Sequence, residues 1–372
     1  HQELANVRGV CPCKARENED DARGDIVAAY SEEAARSKAD SMVIVGTDKS
    51  AIFDPNMFAL NANIAADLKA LVFLAVCTIH RDGKQVKATV DACTKTVENA
   101  GSKVAGIFIT GCTKEKAADA QQALADSPVP VWTVPAVEFP SSDDPNAAAK
   151  AEAAFNEHVS SQEVRAALSI EYVPPTTPYA FQYSLLGRAK SNKKTIVLPE
   201  GEEDRIIKAA DYLLQREIVN LIIVGNRETI LHRGEELGLE SLSKAQFQAM
   251  DDEDVLKPMI AKLCELRAKK GLTPEQARQQ LGDPSYFGTM LVVLGKADGL
   301  VSGSINSTAN TVRPALQVIK TKPDAALVSG AFLMCFKDHV AVFSDCAINL
   351  SPNAEQLADI AIQSAQTAQA FG

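Results

Sequence analysis

The sequence predicts an α/β protein built on parallel sheets, and three observations predict it. Short apolar segments alternate with amphipathic segments from residue 26 onward, the pattern of strands flanked by helices. The segment Gln85–Ala100 places Val86, Val90, Cys93 and Val97 on one helical face. The stretch Asp298-Gly-Leu-Val-Ser-Gly-Ser-Ile-Asn-Ser-Thr-Ala-Asn-Thr-Val-Arg-Pro314 reads as the end of a buried strand, a polar loop and the start of a helix. Open α/β sheets bind ligands at such carboxyl ends.

Taken in order, residues 1–25 are polar and read as loop or frayed terminus. Ile26–Lys38 is a helix candidate, and Ser41–Val45 a short buried strand ending at Gly46-Thr47-Asp48. That turn is the nearest thing to a ligand loop in this half, although an ordinary strand-to-helix loop explains it better. Helix Asn61–Leu68, strand Ala70–Val76, helix Gln85–Ala100, strand Val104–Thr110, helix Lys114–Ala125 and strand Val129–Val134 follow. No Gly-x-x-x-x-Gly-Lys-Ser/Thr phosphate loop occurs anywhere in the chain. Residues 139–148 read as a connection and Ala149–Leu168 as one amphipathic helix. Tyr172–Pro178 is too rich in proline for a helix or central strand, so the main boundary is expected there, before a helix at Tyr179–Ser191.

The second half opens with a strand in Lys194–Leu198 that ends at Pro199-Glu-Gly201, with a helix from Asp204. Strand Asn220–Val224 and helix Arg227–Leu237 come next. Val255–Lys270 reads as one long helix capped by Gly271, and a second helix has Thr273 as N-cap and Pro274 as its first residue. Phe287–Leu294 is apolar and helical. After the 298–314 stretch, Ala325–Cys335 and His339–Ser344 read as strands and Glu355–Ala370 as a helix.

A formal charge of −10 argues against general nucleic-acid binding, which needs clustered basic surface. No run, Leu71–Cys77 included, has the apolar length of a membrane span. The eight cysteines sit mostly alone in apolar segments and read as reduced thiols of a cytoplasmic protein. Cys11-Pro-Cys13 lacks a second pair, so no metal site is expected. The start at His1, without Met, is read as a truncation, and no further element follows the last helix to pack on it.

Between Ser302 and Arg313 the chemistry is concentrated. Ser302, Gly303, Asn306, Ser307, Thr308 and Thr311 offer small hydroxyls, an amide and backbone donors near a helix start, which suits a phosphate. Arg313 adds a fixed charge with a donor fork matched to phosphate oxygens. The competing reading is an ordinary capped turn with Ser and Thr as N-caps.

Five stretches carry a resemblance: Ile196–Arg205, Glu265–Gly271, Asp298–Gly303, Ser307–Pro314 and Asp345–Ala358. From about Lys193 to Gly372 the chain resembles the first half of a phosphotransacetylase (phosphate acetyltransferase) domain. Residues 26–135 are more loosely similar to the N-terminal region of long-form members, a dethiobiotin-synthetase-like P-loop domain, here without its phosphate loop. The implied domains are an incomplete region of that kind over 1–138, a connecting helix and Pro-rich linker over 139–192, and the N-terminal part of the transferase domain over 193–372. The implied fold has two α/β subdomains with the site in the cleft between them. The implied reaction interconverts acetyl-CoA and phosphate with acetyl phosphate and coenzyme A by direct thiolate attack in a ternary complex, with a carboxylate base. No metal or prosthetic group is required, and coenzyme A is a substrate.

The resemblance implies catalytic roles for Ser307, Thr308 and Arg313, and substrate or coenzyme A contacts at Arg267, Ser302, Gly303, Asn306, Thr311 and Arg313. For Arg267 a solvated helical charge beside Lys269 and Lys270 is the alternative, and for Arg205 a surface charge. Asp345 is either functional or the cap of the loop that follows it. The second half of such a domain, with its catalytic aspartate, is expected beyond Gly372. If it is not needed, the base is sought among Asp298, Asp345 and Glu200. A homo-oligomer coupled to acetate kinase is also implied. Two alternatives stand: a phosphate butyryltransferase, and a non-catalytic module that senses coenzyme A or acetyl phosphate, like the regulatory domain of some malic enzymes.

Overall fold

The computed structural model describes residues 15, 17–37, 39–46, 56–138, 145–323 and 325–372. The chain divides into two compact units, residues 1–183 with 333–341 and residues 184–332 with 342–372. The architecture is mixed α/β with parallel sheets.

In the first unit, α1 (Glu19–Ser37) and α2 (Asn56–Asp67) precede β1 (Leu71–Cys77), α3 (Gly83–Asn99), β2 (Lys103–Cys112), α4 (Lys114–Ala123) and β3 (Val131–Pro135). The three strands lie in chain order and run parallel, with Leu71 opposite Lys103 and Ile107 opposite Val131. Parallel neighbours need a crossover, which α3 and α4 supply. Asp82 and Gln85 close a capping box at the start of α3, and Val86, Val90 and Val97 fall on its buried face. That face joins Leu74, Val76, Ile107 and Ile109 in one core. Because side chains alternate along a strand, Phe73, Phe108 and Trp132 form a second cluster. The helices α5 (Ala147–His158) and α6 (Ser161–Leu168) follow, and Trp132 Nε1 donates to Glu163 Oε2 of α6 at 2.7 Å.

After α7 (Pro178–Ser191), the second unit runs through β4 (Thr195–Leu198), α8 (Asp204–Gln215), β5 (Asn220–Val224), α9 (Arg227–Glu236) and β6 (Gln246–Gln248). It continues through α10 (Glu253–Leu266), α11 (Pro274–Gln280), α12 (Pro284–Val293), β7 (Gly299–Leu300) and α13 (Thr308–Val318). The sheet order is β6-β5-β4-β7, all parallel. Ile207, Ala210 and Leu214 of α8 and Ile230 of α9 pack on Leu198, Leu221 and Ile223. Leu256, Met259 and Leu263 of α10, with Phe287 and Met290 of α12, pack on Val197 and Ile222. Coverage of both faces is why Ile196–Leu198 and Leu221–Val224 are unbroken apolar runs. Beyond it, β8 (Ala331–Cys335) and β9 (Val340–Ser344) pair with each other, and α14 (Ala354–Phe371) starts behind a capping box of Asn353 and Gln356.

Several sequence expectations are corrected. α1 starts at Glu19, not Ile26, since Glu19, Asp20 and Asp21 fill its first turn and suit the helix dipole. Ser41–Val45 is not a strand: Val43 is 92% and Val45 88% exposed, and no described strand pairs with them. Thr47, Asp48, Cys11, Cys13 and residues 139–144 lie outside the described residues. The single helix expected over Ala149–Leu168 breaks at Val159, which turns inward, and Ser160 caps α6 through the Glu163 amide. The long helix to Lys270 breaks at Arg267: α10 ends at Leu266 and a 3-10 turn, Ala268–Lys270, closes on Gly271 at φ +67. Strand β6 was not expected at all. The strand expected from Ala325 begins only at Ala331. Helix α13 begins at Thr308, inside the stretch read as a loop running into a helix, and carries Pro314 within it.

Among the described residues no helix is long and apolar enough to cross a membrane, and no group of His, Cys, Asp and Glu is arranged to hold a metal ion. The six described cysteines are free thiols.

Candidate active site

The order of the second sheet switches direction at β4: β5 and β6 lie to one side and β7 to the other. Ligands of open α/β sheets bind beside such switch points. Ile196 of β4 pairs with Gly299 of β7, so Pro199-Glu200-Gly201 leaves the sheet beside the loop that follows β7.

Glu200, only 3% exposed, organises that loop. Its Oε2 accepts from the Gly303 amide at 3.0 Å and the Ser304 amide at 2.9 Å. Its Oε1 accepts from the Ile305 amide and from Asn306 Nδ2, both at 3.0 Å. Burial pushes the Glu200 carboxyl up, but these four donors outweigh it and hold the group below the ordinary glutamate value, ionised. Gly303 has φ +116, a conformation glycine adopts without strain, and it sets the first of three successive amides toward the carboxylate.

The loop then enters α13. Ser307 is its N-cap, with Oγ accepting from the Asn310 amide at 3.3 Å, and Thr311 Oγ1 donates to the Ser307 carbonyl at 3.1 Å. Thr308 and Arg313 are exposed on this helix. On the neighbouring α12, Asp283 caps the start and Tyr286 lies in the first turn. The Tyr286 hydroxyl donates to Gln317 Oε1 of α13 at 2.8 Å. Burial raises the Tyr286 pKa above the ordinary tyrosine value, the charges of Arg267 and Arg313 both act to lower it, and that of Asp283 acts to raise it. Two guanidiniums from separate elements thus act on one phenol. Neither makes an ion pair with a described residue, and Arg267 Nε is shielded from water without a hydrogen-bond partner. Nearby, Ser302 Oγ lies 3.4 Å from Ser285 Oγ.

The structure therefore sorts the residues the sequence singled out. Arg267 and Arg313 both act electrostatically on Tyr286. Gly303, Asn306, Ser307 and Thr311 direct polar groups into the loop and the helix cap, and Ser302 turns to Ser285. Asp345 caps the following loop, accepting from the amides of Gly330, Ala347, Ile348 and Asn349. Asp298 accepts from the Thr195 amide at 2.8 Å and lies 3.5 Å from Lys194 Nζ. All three acids considered as bases are committed to internal donors. Arg205 is tied to the loop, with Nη2 donating to the Ser304 carbonyl at 3.0 Å. Tyr286, Gln317 and Ser285 were missed. The Asp283-Pro284 helix start was their one local signal, since it fixes where Ser285 and Tyr286 enter α12.

Two arginines without an ion pair to a described residue, on elements of the unit that carries the switch-point loop, make a candidate anion site. The phosphate acetyltransferase of Nitratidesulfovibrio vulgaris is 46% identical over 228 residues, 59% of this chain and 31% of that protein. The phosphate acetyltransferase of Synechocystis is 49% identical over 197 residues, 53% of this chain and 28% of that protein. The chain thus spans about three tenths of the length of these curated relatives. A crystal structure of a phosphotransacetylase from Streptococcus pyogenes matches with a TM-score of 0.50 at 38% identity, covering 52% of this chain and 59% of that one. The profile described as phosphate acetyl/butaryl transferase matches residues 180–372, which contain every residue of the arginine cluster and of the Glu200 loop, and by that match the chain belongs to the phosphate acetyl/butaryl transferase family.

Proposed function

We propose that the protein carries the anion-binding half of a phosphate acetyltransferase site, which interconverts acetyl-CoA and phosphate with acetyl phosphate and coenzyme A. The observation that carries the reading is Arg267 Nε, shielded from water with no hydrogen-bond partner, in a guanidinium that, like Arg313, pairs with no described acid. Both substrates are polyanions, and a planar guanidinium pairs with phosphate oxygens through two parallel bonds. In this reading Arg313 and Arg267 hold the phosphate groups of acetyl phosphate and coenzyme A, and the exposed Thr308 offers a hydroxyl to the acetyl carbonyl oxygen. The thiolate of coenzyme A attacks that carbonyl carbon. The new C–S bond forms, the C–O bond to phosphorus breaks, and phosphate leaves with the electron pair.

The thiol proton needs a base, and Glu200, Asp298 and Asp345 are occupied by internal donors. The chain spans 59% of the solved phosphotransacetylase it matches, and the reading assigns the base to the remaining part of such a domain. Two assays test the proposal. Calorimetric titration with coenzyme A should give binding that Arg313→Ala abolishes. Thiol release from acetyl-CoA should depend on phosphate once the remaining part of the domain is supplied. Binding without phosphate-dependent release from the completed domain would favour a sensing module instead. A preference for butyryl-CoA over acetyl-CoA in the same assay would favour the butyryl enzyme.

A further inference from the structure

The amides after β7 have the geometry of a ready-made anion site, yet the protein fills it with its own carboxylate. Gly303, Ser304 and Ile305 present three consecutive N–H groups to Glu200, and Asn306 adds its side-chain amide. Backbone nests of this kind commonly hold phosphate or sulfate. Here the anion is covalently part of the fold and comes from the turn after the neighbouring strand β4, 103 residues away in sequence from Gly303.

The Ser304 peptide is gripped from both sides. Its N–H meets Glu200, and its carbonyl accepts from Arg205 Nη2 at 3.0 Å. Arg205 is itself held, through Nε, by Glu203 Oε1 at 2.6 Å, and Glu203 is the N-cap of α8. The turn that carries Glu200 is fixed in turn: a Cβ on Gly201 would meet the Val224 carbonyl at 2.4 Å. The stretch Glu200–Arg205 thus supplies one negative and one positive clamp to a single loop.

We propose that Glu200 is a positioning residue: it occupies the amide nest of residues 303–305 as a built-in anion, so that the loop delivers Ser307 and Thr308 to the site in one geometry and the nest itself is closed to substrate phosphate. The proposal rests on the acetyltransferase reading for its consequence, since it leaves the substrate anions to Arg267 and Arg313. Its structural content is independent of that reading. A buried carboxylate contributes to this arrangement through charge as well as shape, and that distinguishes it from a space-filling residue.

The test is hydrogen exchange followed by mass spectrometry on the whole chain, comparing wild type with Glu200→Gln and Glu200→Ala. In Glu200→Gln a side-chain NH2 replaces one acceptor, and exchange across residues 303–306 should accelerate about tenfold or more while β4 and β5 keep wild-type protection. In Glu200→Ala, added formate should restore slow exchange in that segment, and formamide of nearly the same size should not. Wild-type exchange in both variants would overturn the proposal, as would equal rescue by formate and formamide. If Glu200→Ala does not fold, the isosteric Glu200→Gln decides the outcome by the first criterion alone. Failure of wild type to bind coenzyme A would count against the acetyltransferase reading and leave the exchange comparison intact.

Discussion

Replacing Arg267 by methionine should raise the stability of the free protein and lower its affinity for coenzyme A. Arg267 sits at the break between α10 and the 3-10 turn, with Nε shielded and unpartnered. A buried donor left without an acceptor costs about 1–3 kcal/mol. The residue is only half-buried, so the lower end applies, and methionine keeps most of the apolar stem that packs there. A gain of about 1 kcal/mol raises the melting temperature by roughly 2–4 °C in a unit of this size. Binding moves the other way. Charge-assisted hydrogen bonds contribute about 1.5–3 kcal/mol, so losing those of Arg267 should weaken coenzyme A about 10- to 150-fold. At a coenzyme A concentration about 100 times the wild-type Kd, wild type gains about 2.7 kcal/mol from the ligand. The same relation gives the variant about 0.3–1.4 kcal/mol. Thermal melts with and without ligand therefore cross: the variant melts higher when free and lower when saturating ligand is added to wild type. A free variant that melts below wild type, with an unchanged ligand shift, would show that Arg267 is a structural cation and would refute the reasoning.

Three further outcomes follow from neighbouring contacts. Tyr286→Phe removes the hydroxyl that bonds Gln317 and on which the charges of both arginines act, and should weaken coenzyme A about fivefold, read by calorimetry. Gly201→Ala forces a Cβ to within 2.4 Å of the Val224 carbonyl and 2.7 Å of Ile223 Cγ2, and should cost about 1–3 kcal/mol in urea unfolding. At Asp345, burial pushes the carboxyl up, but amides of Asn349, Gly330 and Ala347 overcome it and hold the pKa well below the ordinary aspartate range. Its contribution to stability is therefore complete above the ordinary value of about 3.9 and lost as pH falls through the depressed one. Wild type should lose more stability than Asp345→Asn between about pH 5 and pH 2, measured by urea midpoints, and parallel curves would remove Asp345 from the account.

What the sequence reveals and what it hides differ by range. The helix Pro274–Gln280 was legible to the residue because its signals are local: Thr273 and Gln276 form a capping box, Pro274 presets the first turn, and Gly271 stops what precedes it. Ser41–Val45 misled for the opposite reason. A short apolar run shows that a segment fits a sheet, not that a partner strand exists beside it. β6 escaped notice because Gln246-Phe247-Gln248 is three residues long, and only its register with Ile222, Ile223 and Val224 makes it a strand. The site repeats the lesson. Ser302–Thr311 looked like an open phosphate loop, since hydroxyls, amides and a helix start are all visible in one short stretch. Which of those donors remain free depends on Glu200, and Glu200 reaches them only because β4 and β7 are adjacent. The charge without a described acidic partner lies instead with two arginines from separate segments, both acting on a tyrosine of a third. A loop rich in donors is therefore weak grounds for an anion site until the internal acceptors are known. An arginine without an acid is stronger, because a fold that desolvates a guanidinium nitrogen and leaves it unpaired carries that cost in every unliganded molecule.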